Sequence, residues 1–310
     1  MKKFAAILFI TALLALNAFG QSEAPPTLRI VTEAPGLPSE LFYGNTKVKP
    51  VRLRPGTNTP ITIADNDFFI QQQYIDFLRR FPETTPDGGL NYYLPILGLC
   101  KGETECLKGL RGAMAANFFR SPEFQQKGSF VMYLYMVSLG QRPSTDAELA
   151  DPAKRFERPH YSEFMTDLQS ISDPNDDKAI VSAKKDALTV AWLQRAEIQS
   201  VYGSLSNAAF VQKLSQVSGV TLSQTYVDRL NAGESRAKVL RAIVESPEVN
   251  AKYYNQAFVT MEYFGFLRRD PDLPGYVFHN NRFKLGFDPA ELENVIVRGF
   301  IESPEYFNRF

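Results

Sequence analysis

Four carboxylates stand in two similar loops, Glu83 and Asp87 in "DFLRRFPETTPDGGLNYY" (76–93) and Asp270 and Asp272 in "GFLRRDPDLPGYVFHNN" (265–281). Two acids about 5 to 9.5 Å apart are the set that glycoside hydrolysis uses, one donating a proton and the other acting as nucleophile or base. The same loops carry the arginine pairs Arg79/Arg80 and Arg268/Arg269 and the aromatic pairs Tyr92/Tyr93 and Phe278/His279. These are groups that could hold an anionic or ring-bearing partner. The duller reading of the arginines is helix termination, since cations complement the negative end of a helix and acids such as Glu83 and Asp270 lie close by.

A second pattern recurs three times, Ser121-Pro122-Glu123, Ser246-Pro247-Glu248 and Ser303-Pro304-Glu305, each between large apolar residues. A nucleophilic serine would need a histidine partner or a strand-to-helix elbow, and neither accompanies these. As structure the triplet is well explained. Serine accepts from the free N–H groups of a following helix, proline is tolerated at the first helical position, and glutamate favours the first turn. Each triplet therefore predicts a corner where one helix stops and another starts, with the serine side chain turned to backbone N–H groups.

Other chemistry is weaker. The stretches "DND" (65–67) and "DPNDDK" (173–178) invite calcium, but neither has the Gly at position six or the Glu at position twelve of an EF-hand loop. His160 follows Pro159 in a loop and His279 sits among aromatics, far apart in sequence. No zinc spacing, phosphate-binding Gly-rich loop or catalytic constellation is evident, so no cofactor or metal is expected, with calcium as the minor alternative. Cys100 and Cys106 in "CKGETEC" read as a disulfide closing a small loop, stabilising by about 2 kcal/mol. The rival reading as metal ligands lacks two further soft ligands nearby.

The elements that carry these residues are mostly α-helical. The start "MKKFAAILFITALLALNAFG" has two lysines, an apolar run and a small-residue exit, which is the pattern of a secretory signal peptide over 1–20. Without it, 32 basic side chains face 34 acidic ones. That balance gives no electrostatic case for nucleic acid, and no later stretch reaches the roughly 20 apolar residues of a membrane span. Residues 21–64, rich in Pro, Gly and Thr, predict a short extended or β segment. Residues 65–140 form a first helical repeat unit, 141–186 a polar connection with one helix near "YSEFMTDLQSI", and 187–310 a second helical region with two units. A long helix is expected over roughly 178–202, including Trp192. The connection is the expected domain boundary.

The units share landmarks. Phe77 precedes Ser121 by 44 residues and Phe266 precedes Ser303 by 37, and the difference of 7 matches the length of "CKGETEC". Leu107, Leu110, Met114 and Phe118 make a helical stripe before the first corner, as Leu292, Val295, Gly299 and Phe300 do before the third. A more diverged copy, 208–249, closes on the middle corner.

In this ordered series, from "ELFYGNTKVKPVRLRPG" through "FFRSPEFQQKGSF", "NAGESRAKVLRAIVESPEV" and "AFVTMEYFGFLRRDPDLPGY" to "FIESPEYFNRF", the chain resembles the bacterial family called domain of unknown function 4214 (DUF 4214), in its long secreted variant from soil bacteria such as acidobacteria. The resemblance implies a repeated helical module of exported surface-layer, adhesin-like and calcium-repeat proteins, and brings no catalytic residues with it. Where that family often has a tryptophan after the glycine-containing loop, this chain has Tyr93 and His279. The expected function is a secreted or cell-surface, non-catalytic interaction or structural module for a protein or glycan. The alternative is an extracellular hydrolase of polysaccharide or peptide using a carboxylate pair.

Overall fold

The computed structural model describes residues 27–31, 40–44, 46–48, 53, 58–140, 159–173 and 175–310. The expected leader, most of the extended N-terminal segment and residues 141–158 of the connection lie outside the described residues. Strands β1 (Leu28–Val31), β2 (Glu40–Tyr43) and β3 (Thr46–Lys47) form a small antiparallel sheet in that order, with Leu28 opposite Tyr43 and Phe42 opposite Lys47. From Asn66 onward the regular structure among the described residues is helical.

Helix α1 (Asn66–Gln73) runs through a π turn at Tyr74–Leu78, followed by α2 (Gly89–Gly98) and α3 (Thr104–Arg120). The Cys100–Cys106 disulfide closes the turn between α2 and α3. Past the first corner come α4 (Pro122–Phe124), a π turn at Gln125–Ser129 and α5 (Phe130–Leu139). The central part holds α6 (Tyr161–Ile171), α7 (Lys178–Leu193), α8 (Ala196–Tyr202), α9 (Asn207–Ser218), α10 (Thr225–Asn231) and α11 (Arg236–Val244). The chain closes with α12 (Pro247–Glu262), a π turn at Tyr263–Leu267, α13 (Leu273–Arg282), α14 (Pro289–Ile301) and α15 (Pro304–Asn308).

At each corner the serine caps the incoming helix. Ser121 Oγ accepts from the Phe124 N–H at 3.1 Å, Ser246 from Val249 at 3.3 Å and Ser303 from Tyr306 at 3.1 Å. In the first and third corners the same hydroxyl donates backwards, to the Phe118 and Phe300 carbonyls at 2.7 Å. One hydroxyl thus serves an orphan carbonyl of the outgoing helix and an orphan N–H of the next.

The two Phe-Leu-Arg-Arg segments are built alike. Arg79 and Arg268 hold φ of 61° and 54°, the left-handed conformation that ends each π turn. Arg80 lies 5.0 Å above the Tyr74 ring, and Arg269 lies 5.1 Å above that of Tyr263. Each tyrosine hydroxyl presses on the glycine of its own loop, so that a Cβ on Gly89 would sit 1.6 Å from the Tyr74 oxygen and one on Gly275 would sit 2.0 Å from that of Tyr263. The tyrosines also meet the corner aromatics edge-on, Tyr74 on Phe118 and Tyr263 on Phe300, both at 4.9 Å.

The expected domain boundary in 141–186 is not a break in the core. Phe164, Leu168 and Ile171 of α6 are buried in the same hydrophobic cluster as residues from α1 to α15, and Phe164 meets Phe264 at 5.3 Å. The first and last units also touch directly. Helix α14 packs along α3, and Phe77 meets Phe266 at 5.1 Å. That contact requires Gly265, where a Cβ would lie 2.6 Å from the Phe77 ring. The prolines and polar residues of the connection suggested a linker, but every apolar face on α6 is needed to cover α5 and the π turn after α12. The single long helix expected over 178–202 is interrupted at Gln194–Arg195, where the Arg195 side chain turns back over the fully buried Trp192 at 4.2 Å.

Gly275→Ala should therefore lower the unfolding free energy by about 1–3 kcal/mol. Adding Tyr263→Phe removes the clashing oxygen, leaving the ring carbon at 3.2 Å as the closest tyrosine atom. The double variant should recover most of the loss in urea melts, and a purely additive result would contradict the proposed contact.

Candidate functional site

The charged groups singled out in the sequence are mostly paired inside the fold. Arg80 donates twice to Glu123, both at 2.9 Å, and once to Glu83 at 2.6 Å. Arg269 donates to Glu305 at 2.5 and 2.9 Å and is near Asp272 at 3.4 Å. In both units, then, the second arginine of the helix end grips the glutamate of the Ser-Pro-Glu corner. Among the described residues no arginine grips the middle corner in this way, and Glu248 is exposed. Arg268 binds Asp76 at 3.2 Å, and Arg79 reaches back toward the Ile75 carbonyl.

The four loop carboxylates do not form an acid–base pair. Glu83 is clamped by Arg80, Asp272 caps α13 through the Gly275 N–H at 2.9 Å, and Asp87 is exposed. Asp270 bridges to α6, accepting from the Tyr161 N–H at 2.7 Å and meeting His160 Nδ1 at 2.6 Å. Burial raises the Glu83 carboxyl, but its own backbone N–H, Arg80 and the Gly89 N–H outweigh this and hold it below the ordinary 4.5. A carboxyl so held is a poor proton donor near neutrality. The acidic stretch at 173–178 is also internally engaged: Asp173 accepts from the N–H groups of Asn175 and Asp177, Asp177 caps α7, and Asp176 meets Lys127 at 3.0 Å. Among the described residues no cluster of three or more His, Cys, Asp or Glu side chains could hold a metal ion.

The aromatic pairs divide. Tyr93 packs on Phe118 at 5.8 Å, and His279 occupies the matching place on Phe300 at 5.3 Å. His279 is thus a packing ring, and burial, then the charge of Arg282, lowers its pKa to about 4. Tyr92 and Phe278 are exposed on their loops.

Two buried polar groups escaped the sequence reading. Asp76, 1% exposed at its side chain, takes Arg309 at 3.0 Å as well as Arg268. Burial pushes its carboxyl up, and the Arg309 and Arg268 guanidiniums more than reverse this, holding it below the ordinary 3.8. Glu262 is fully buried with no hydrogen-bond partner on either oxygen among the described residues, and burial followed by the neighbouring Glu293 charge raises its pKa well above 4.5. Glu293 itself is held by Arg120 at 2.5 Å.

The concave surface with free hydrogen-bonding capacity lies elsewhere, between the first and second corners. A cavity of about 430 Å³ is lined by α4, the π turn Gln125–Ser129, the start of α5, Lys185 of α7, and Val244 to Asn250 around the second corner. The π turn is shaped by Phe124, whose ring folds over Gly128 so closely that a Cβ there would lie 2.2 Å away. This widened turn brings Gln125, Gln126 and Ser129 to the cavity wall. Ser129 donates to Gln125 Oε1 at 2.8 Å, and Gln125 donates to the Phe119 carbonyl at 2.7 Å. Opposite them, Tyr133 donates to Asn250 Oδ1 at 2.9 Å. Lys185 contacts Glu245 and lies 4.6 Å over the Phe130 ring; burial lowers its pKa and the Glu245 contact works against that. Apart from Pro122 and Ser246 of the two corners, the lining residues belonged to no sequence motif, because they come from separate segments. The π turn's one local trace is Phe124 four residues before Gly128.

The chain matches no family model, no curated protein and no solved structure.

The buried acids make opposite contributions with pH. Asp76 and Glu123 have depressed folded values, so their stabilisation is complete above about pH 5 and is lost as pH falls through those values. For Glu262, raised in the folded state, the contribution is complete below the ordinary 4.5 and is lost as pH rises. Glu262→Gln, neutral at every pH, should raise stability at pH 7 by about 1–3 kcal/mol and change it little at pH 4. Chemical denaturation at the two pH values checks this; a less stable variant at pH 7 would mean that the ionised carboxylate has a partner.

Proposed function

We propose that the protein is an exported, non-catalytic helical interaction module of the DUF 4214 kind, engaging a protein or glycan partner at the cell surface through the groove between its first two corners. The leader-like start and the disulfide support export. No helix among the described residues is long and apolar enough to cross a membrane. The observation that carries the reading is the pairing of the repeated charged residues with one another, Arg80 with Glu123 and Arg269 with Glu305. The motif residues hold the scaffold, and the groove offers amide groups to a ligand.

A hydrolase working with a carboxylate pair would need one carboxyl kept protonated near neutral pH and open to substrate. Among the described residues Glu262 is the carboxyl pushed well up, and it is 0% exposed. The interaction reading is therefore the better supported one.

The purified protein should be retained by the outer-surface and matrix fraction of the producing cell, with and without calcium, and retention should fall several-fold for Gln126→Ala combined with Asn250→Ala. Equal retention of the groove variant, or turnover of polysaccharide or peptide by the wild type, would count against the proposal.

A further inference from the structure

We infer that the groove takes an uncharged, hydroxyl-rich ligand, a segment of neutral polysaccharide; this rests on the interaction-module reading and names its ligand class. The first reason is charge. Lys185 and Glu245 stand in the lining, and Arg241 and Asp186 continue the alternation of sign beyond it, with Arg241 meeting Asp186 at 2.7 Å and Glu245 at 3.2 Å as Glu245 also holds Lys185. The chain of contacts neutralises itself. An anion would have to take Lys185 from Glu245, and a cation would have to replace Lys185, each leaving a charge without its partner.

The second reason is that the large apolar side chains of the lining are closed to a ligand. Bound peptides place large apolar or aromatic side chains in desolvated pockets. Here Phe130 and Val244, at 2% and 1% exposure, lie beneath the surface, and the Lys185 ammonium covers the Phe130 face. Carbon makes up most of the surface that reaches the cavity, Pro122 among it, and the uncharged hydrogen-bonding side chains exposed there are Gln126 and Asn250. The amide of Gln126 and the Nδ2 group of Asn250 make no hydrogen bond among the described residues, whereas Ser129 and Tyr133 are buried and engage Gln125, Asn250 and each other.

A planar amide presents a donor and an acceptor side by side, which suits two neighbouring hydroxyls that each donate and accept. The volume of about 430 Å³ falls in the range of about 300–1,000 Å³ typical of small-ligand sites.

The test is affinity electrophoresis of the purified protein in gels containing a neutral glucan or xylan, an anionic polygalacturonate, a cationic chitosan, or an immobilised unstructured peptide. At least one neutral polymer should retard the wild type, with binding unchanged between about 0.05 and 0.5 M salt, because no net charge is neutralised. Gln126→Ala, on an exposed side chain that supports no fold contact, should weaken retardation about five- to tenfold, as should Asn250→Ala. Tyr92→Ala, away from the groove, should not. Retardation by the charged polymers or the peptide alone would overturn the ligand class and leave an interaction module standing. Loss of all retardation together with loss of retention on the surface fraction would overturn both. Neutral-polymer binding unaffected by both groove variants would move the ligand to another surface and refute the assignment.

Discussion

The forked contact between the second arginine of a helix end and the glutamate of a Ser-Pro-Glu corner organises each of the two similar units. It joins positions 43 residues apart in the first unit and 36 apart in the last. Two parallel N–H donors fix direction as well as distance, so the corner cannot rotate relative to the helix end. The guanidinium then roofs the tyrosine ring, the tyrosine hydroxyl presses on the loop glycine, and the loop must pass where it does. A short polar motif and a distant glycine become parts of one packed object.

The two units are joined by a difference between them. Where the first has Asp76, the last has Gly265. The aspartate receives Arg268 and Arg309 from the last unit, while the glycine admits the Phe77 ring of the first. Arg309 also donates to the Gly265 and Phe266 carbonyls at 2.9 and 2.6 Å, closing the end of the π turn. Two identical units would have had either two buried carboxylates or none at this junction. With one, the two guanidiniums have an anion to share and the rings can interdigitate.

The sequence makes the corners legible because serine, proline and glutamate act on backbone within three residues of themselves. The disulfide is legible for the same reason of proximity, and the mostly α class follows from the stripes before each corner. The Arg80–Glu123 partnership is not local, and its arginine reads equally well as a helix terminator or as an anion site. The polar, proline-punctuated connection resembled a domain boundary, yet α6 within it buries Phe164, Met165, Leu168 and Ile171 in the common core. The groove has no sequence signature, since a π turn, one lysine and the second corner meet only when α5, α7 and α12 are packed.

The central claim, that the repeated charged residues are structural partners, is tested most directly by a double-mutant cycle on Arg80 and Glu123, whose side chains are 13% and 12% exposed. Arg80→Met, Glu123→Gln and the double variant would be unfolded in urea at pH 7. The expected coupling is about 1.5–3 kcal/mol, the range of a hydrogen bond to a charged group. A coupling near zero would contradict the account and return both residues to the surface as free binding groups.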